Sequence, residues 1–223
     1  MRKVFLALVI AGLMAVWAAP ASAVVLYSSG TPDYATAYFS DPTNDTFEAY
    51  DDFTLSSAAT ITGIEWWGVY AYGNTPPASD LFDYDIQSNP GGGAQPSGDI
   101  TSGVLTGLSV TDTGDTVSGL ELYQYTANAS ITLPAGSYFL GIWDTASNPD
   151  NAFAWATTGE TPSDEWSYNT SGDYWESGQI YGAPDEGVAF NLTGEAVPEP
   201  ATMTLLGLGL AGLGAKVARR RSR

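Results

Sequence analysis

Aspartates crowd two short stretches of this sequence, Asp51-Asp52 and the trio Asp80, Asp83 and Asp85. Carboxylate and carbonyl oxygens are the ligands of hard cations, so these five are candidate calcium ligands. Asp83 and Asp85 are two residues apart in an alternating run. They would therefore share one face of a strand and converge. The run lacks the spacing of an EF-hand loop, and the competing reading is a solvated strand face with turn residues. The chain contains no His and no Cys. That excludes His- or Cys-bound zinc, a Cys nucleophile and the Ser–His–Asp arrangement. Any metal must be held by oxygen, which makes calcium the cofactor to test.

A second chemistry is carried by rings. The polar stretch TPSDEWSYNTSGDYWESGQIYG (161–182) contains Trp166, Tyr168, Tyr174 and Trp175. Apolar rings with polar edges suit the faces and hydroxyls of sugars, and nearby carboxylates bind the hydroxyls. These four are the candidate glycan contacts. The competing reading is that they pack down and staple a long loop. Trp66, Trp67, Trp143 and Trp155 lie in apolar runs and are assigned to the core. Asp112-Thr113-Gly114 matches the Asp-Thr-Gly of aspartic proteases, but the motif occurs once, and SVTDTGDTVSG reads as a strand end and turn. A glycosidase needs only two suitably spaced carboxylates, which an acidic chain offers everywhere. No catalytic residue is assigned.

The elements that must position these groups read as β throughout. Runs rich in Val, Ile, Thr, Tyr, Phe and Trp recur between clusters of Gly, Pro, Asn, Asp and Ser. Strands are expected at 24–27, 36–39, 47–55, 60–72, 81–88, 103–110, 120–127, 130–133, 137–143, 152–158 and 188–194. Phe82, Tyr84 and Ile86 share one face, with Asp83, Asp85 and Gln87 on the other. Residues 88–99 read as a Gly/Pro-rich loop. The expected fold is all-β, an antiparallel two-sheet sandwich of jelly-roll type, with a closed barrel as the alternative.

The body between the two ends, residues 24–196, suits one domain. Of the 25 acidic residues only Glu199 lies outside it, and none of the seven Lys and Arg lies inside it. The body therefore carries a formal charge of about −24 with no fixed cation. Phosphate backbones and anionic lipid surfaces are excluded as partners of the body, so no nucleic acid is expected.

Both ends carry addresses. The start, MRKVFLALVIAGLMAVWAAPASA, has Arg2 and Lys3, then an apolar run, then small residues at Ala21 and Ala23. This is the pattern that signal peptidase cleaves, here after Ala23. At the other end Pro198 and Pro200 hold the chain extended around Glu199. An apolar run from Ala201 follows, long enough to cross a membrane as one helix if it continues to Ala218. Arg219, Arg220 and Arg221 then hold that end in the cytoplasm.

Val197-Pro198-Glu199-Pro200, the apolar run and the Arg cluster, in that order, resemble a PEP-CTERM sorting signal. The resemblance implies export across the inner membrane of a Gram-negative bacterium. It also implies processing by an exosortase, a membrane-embedded cysteine transpeptidase, near Val197 to Ala201. Such proteins are expected beside exopolysaccharide at the cell surface or in a biofilm matrix. The competing reading of the tail is a permanent anchor. The body stretches AYDDFTLSSAATITGIEWWGVY (49–70), LFDYDI (81–86) and VAFNLTG (188–194) resemble a recurrent ectodomain of PEP-CTERM proteins. The resulting expectation is a non-enzymatic surface or matrix protein. The alternative is a polysaccharide-active enzyme using two carboxylates.

Overall fold

The computed structural model describes residues 23–43, 45–71, 75–76, 80–146, 151–159, 165–177 and 186–197. The expected signal peptide with Ala21, and the tail with Pro198, Glu199, Pro200, Ala201 and Arg219 to Arg221, lie outside these residues. Ala23 and Val197 stand at the two exposed ends of the described body. No helix among the described residues is long and apolar enough to cross a membrane.

Thirteen strands are formed among the described residues: β1 (Val24–Ser28), β2 (Pro32–Phe39), β3 (Phe47–Leu55), β4 (Ala59–Tyr70), β5 (Phe82–Ser88), β6 (Ser97–Val104), β7 (Thr106–Val117), β8 (Leu120–Leu133), β9 (Gly136–Asp144), β10 (Phe153–Thr158), β11 (Trp166–Asn169), β12 (Tyr174–Ser177) and β13 (Phe190–Ala196). They make two sheets in which every pairing is antiparallel. In the first sheet β4 is the hub. It pairs with β8 along one edge, and with β13 and then β10 along its length. The outer members are β1 on β13, β2 on β10, and β7 on β8. The second sheet runs β12-β11-β3-β9-β5-β6.

Strict alternation explains why two sheets form and why they face each other. Phe53 and Leu55 of β3, Phe82 and Ile86 of β5, and Leu140 and Ile142 of β9 point from the second sheet toward the first. They meet Ile61, Ile64, Trp66, Tyr125, Trp155 and Phe190 in one core. Trp66 stacks on Tyr125 at 5.3 Å, and Phe82 meets both edge-on. Burying such rings is the main source of stability in a chain without disulfides, at about 25 cal/mol per Å² of apolar surface. The other face of β4 is also covered. Trp67 and Val69 pack with Val117, Leu122 and Ala154 in a second cluster beneath β2 and β7.

Several boundaries depart from the sequence reading. The strand expected at 103–110 is two strands meeting at Leu105, which is buried and donates its N–H to Phe82 O at 2.8 Å. Each half belongs to a different sheet. Residues 120–133, read as two strands, are one, because β8 takes up one extra residue between Asn128 and Ile131, opposite Ile61 to Gly63 of β4. Asp112-Thr113-Gly114 is no strand end. It lies inside β7 where register slips, with Gly114 at φ 76° and its N–H bonded to Asp112 Oδ1. The long polar stretch from 161 holds a hairpin, β11–β12.

Candidate functional site

The outward face of the second sheet assembles its polar side chains by register. In β3, FEAYDDFTL, the core takes Ala49, Phe53 and Leu55, so Glu48, Tyr50 and Asp52 point away. Residues paired across antiparallel strands project on the same face. Trp175 pairs with Tyr168, and Tyr168 with Glu48. Tyr50 pairs with Gly141, Gly141 with Asp85, and Asp85 with Ser102. Gln87 pairs with Asp99, and Asp83 with Trp143. All six strands thus place one or more outward side chains around one hollow, and Gly141 of β9 leaves the space beneath it.

That hollow is a cleft of about 480 Å³, lined by Glu48, Tyr50, Asp85, Asp99, Trp143, Tyr168 and Trp175 among others. Its aromatic side is built by contact. Trp175 meets Tyr50 edge-on at 4.9 Å and Tyr168 at 5.0 Å, and Trp143 lies 6.2 Å from Tyr50. The Tyr168 hydroxyl donates to Asp173, which also lines the cleft.

The acidic side centres on one phenol. Tyr50 Oη stands 3.2 Å from Glu48 Oε2 and 3.3 Å from Asp85 Oδ2. Gln87 Nε2 donates to the same Asp85 oxygen at 2.7 Å. Asp85 is 6% exposed, and its Oδ1 is buried without a hydrogen-bond partner. A phenol has one proton and cannot donate to both carboxylates at once. Burial, with Asp85 and Asp83 nearby, raises Glu48 to about 7, although its bond to Tyr50 works the other way. Burial also raises Asp85, against the bond from Gln87. The Tyr50 proton therefore serves Glu48 or Asp85 but not both, and burial disfavours a second full charge beside it.

The candidate residues named from sequence are distributed as follows. Tyr168 and Trp175 meet in the cleft. Trp166 is half-buried two residues before Tyr168 on β11, paired with Tyr50, and is not among the lining residues. Tyr174 points to the other side of β12, where its hydroxyl accepts from Asn169. Trp143, assigned to the core from sequence, is a wall of the cleft; its strand is apolar on both faces, so alternation did not reveal which side it takes. Trp66, Trp67 and Trp155 are buried as expected. Glu48, Tyr50, Gln87, Asp99 and Asp173 were not singled out. The signal that was available was the alternation of FEAYDDFTL.

The five candidate calcium ligands do not come together. Asp51 points inward, 1% exposed, and its carboxylate accepts from the Val188 and Asp52 N–H groups. Asp52 is half-buried on the outward face of β3. Asp80 precedes β5, where burial raises it to about 6. Asp83 and Asp85 share the outward face of β5, as alternation required. Among the described residues no three acidic groups are close enough to share a metal ion.

A separate buried carboxylate group closes one end of the core. Asp144 is fully buried, accepts from the Ala146 N–H at 2.6 Å, and lies 3.5 Å from the Tyr70 hydroxyl. Burial, with Asp80 and Asp41 nearby, raises it to about 7.

No curated protein matches the chain. Residues 196–221 match the family model of the PEP-CTERM protein-sorting motif, so the chain ends in the signal by which an exosortase sorts a protein to the cell envelope or surface.

Proposed function

We propose that this protein is a non-enzymatic component of the cell surface or extracellular matrix that holds exopolysaccharide in the cleft of its second sheet. Its jelly-roll-like body is exported behind a signal peptide cleaved after Ala23. The single apolar helix of the tail holds the chain in the inner membrane of a Gram-negative, biofilm-forming cell until the exosortase releases it. The observation that carries the binding role is the cleft itself. Rings of Tyr50, Trp143, Tyr168 and Trp175 stand beside Glu48, Asp85 and Asp99 in one hollow. Sugars need that combination of flat apolar surface and acceptors for hydroxyls.

A two-acid hydrolase is the second reading. Glu48 and Asp85 each contact the same phenol oxygen, so their nearest oxygens lie no further apart than the sum of 3.2 and 3.3 Å. Retaining glycosidases hold their carboxyls about 5–5.5 Å apart and inverting ones about 6.5–9.5 Å. The Tyr50 hydroxyl favours binding over hydrolysis, because it occupies the position between the two acids where a glycosidic oxygen or water would react.

The test uses residues 24–196, since both core clusters lie wholly within them. Co-sedimentation with the host exopolysaccharide and release of reducing ends are measured together, with calcium and with EDTA. Retention without release, lost in Trp175→Ala, is expected. Release of reducing ends that vanishes in Glu48→Gln would replace binding with hydrolysis. Neither signal would remove the glycan role. Loss in EDTA alone would place calcium between carboxylates and polymer.

A further inference from the structure

We infer that the cleft selects a sugar carrying a free, protonated amine, such as a de-N-acetylated hexosamine unit, over neutral and acidic sugars. This rests on the glycan reading of the same cleft and narrows it to a substrate class.

Three observations carry it. First, the lining holds Glu48, Asp85, Asp99 and Asp173 and no cationic side chain, and the body contains no Lys or Arg at all. A uronate or sulfated sugar would enter against this charge with nothing to pair with. Second, Asp85 is buried yet leaves Oδ1 without a donor, while Oδ2 already has Gln87 and Tyr50. A buried carboxylate with one oxygen lacking a hydrogen-bond partner is costly, and a cation seated beside it in the cleft offsets that cost through its charge. An ammonium offers three donors and a full charge, whereas a sugar hydroxyl offers one donor and none. Third, the acids are flanked by Trp175, Tyr168 and Trp143, whose rings suit the flat face of a pyranose and also attract a cation. That aromatic flank is what separates an amino sugar from a flexible lysine chain as the occupant.

The amine also resolves the crowding around Tyr50. A cation in place favours the ionised forms of both Glu48 and Asp85, so a proton that burial holds on Glu48 is released as the sugar enters. The groups facing Glu48 are Tyr50 on its own strand, Asp83 and Asp85 from β5, Trp143 from β9 and Tyr168 from β11.

Residues 24–196 are titrated by calorimetry with glucosamine, N-acetylglucosamine and glucose oligomers of equal length, at a pH where the sugar amine is protonated. The glucosamine oligomer is expected to bind at least ~10-fold more tightly than the other two, with proton release that varies with buffer ionisation enthalpy. Glu48→Gln with Asp85→Asn should bring the three within about twofold of one another. Asp99→Asn, at the exposed rim, should weaken only the amino sugar and cannot act through folding. Equal binding of all three oligomers by the unaltered protein overturns the amine preference and leaves the glycan reading standing. Retention of the host polymer with no binding of the glucosamine oligomer does the same. Failure of both overturns both. Competition by poly-lysine as effective as by the glucosamine oligomer overturns the sugar selectivity and reduces the cleft to a charge sink.

Discussion

Tyr50 and Gly141 are directly paired across β3 and β9, and the phenol ring occupies the space where a side chain at residue 141 would begin. Because nothing blocks it, the ring crosses β9 and its hydroxyl reaches Asp85 on β5. One glycine thus lets three strands share a single polar centre, and the floor of the cleft depends on it.

Gly141→Ala tests that dependence. The new methyl would stand well inside van der Waals contact with the Tyr50 ring. The ring must swing away, at a cost of roughly 1–3 kcal/mol typical of overpacking. A lowered midpoint of thermal unfolding is expected, together with loss of polymer retention. Unchanged retention would show that Tyr50 does not shape the binding surface.

Trp175→Ala removes a ring that contacts both Tyr50 and Tyr168. Half-buried on the short β12, it contributes little to the core, so the unfolding midpoint should move little. Binding should fall about tenfold, the scale of an aromatic contact of about 0.5–1.5 kcal/mol together with its buried area. Tyr174→Ala, on the opposite side of the same strand, should leave binding intact. Both are read by titration with one oligosaccharide.

Stability should rise on mild acidification. Glu48 and Asp144 are raised to about 7 and Asp80 to about 6, each chiefly by burial. In the unfolded chain such groups titrate near about 4. Between about pH 4 and 7 the folded state therefore holds protons that the unfolded state has lost. Unfolding free energy then falls as pH rises through this window. The unfolding midpoint should be higher at pH 5 than at pH 8. Asp144→Asn should flatten the profile and raise the midpoint at pH 8. The carboxamide oxygen can still accept the Ala146 N–H.

The tail is tested by replacing Pro198, Glu199 and Pro200 with alanines. The matched motif spans them, and the proposed release by an exosortase would depend on it. The altered chain should stay in the membrane fraction with its C-terminal arginines attached, detected by intact mass. The unaltered chain should lose them. Equal release of both would mean that cleavage is read elsewhere.

Parts of the fold were legible residue by residue. FEAYDDFTL was expected at 47–55, and β3 occupies those residues. Phe82 and Ile86 face the core while Asp83, Asp85 and Gln87 face out, as period-two alternation demands. Alternation failed where both faces of a strand are apolar. SYFLGIW offers no polar side, so Trp143 could not be placed on the outward face before β5 was known to pair beside it. It failed too at Leu105, where a continuous β-like run changes sheets.

By itself the sequence determined what is local. The sorting tail is read from consecutive residues because proline sets its own backbone angle and an apolar run needs no distant partner. The β class, the missing cations and the exclusion of thiol and imidazole chemistry follow from composition in the same way. Only the tertiary structure decided the cleft. Glu48, Asp85, Trp143 and Trp175 are scattered over more than a hundred residues. They meet because strand order places β3 between β11 and β9, and register sets Tyr50 over Gly141. Order and register are set by long-range packing of the two sheets, which no local pattern encodes.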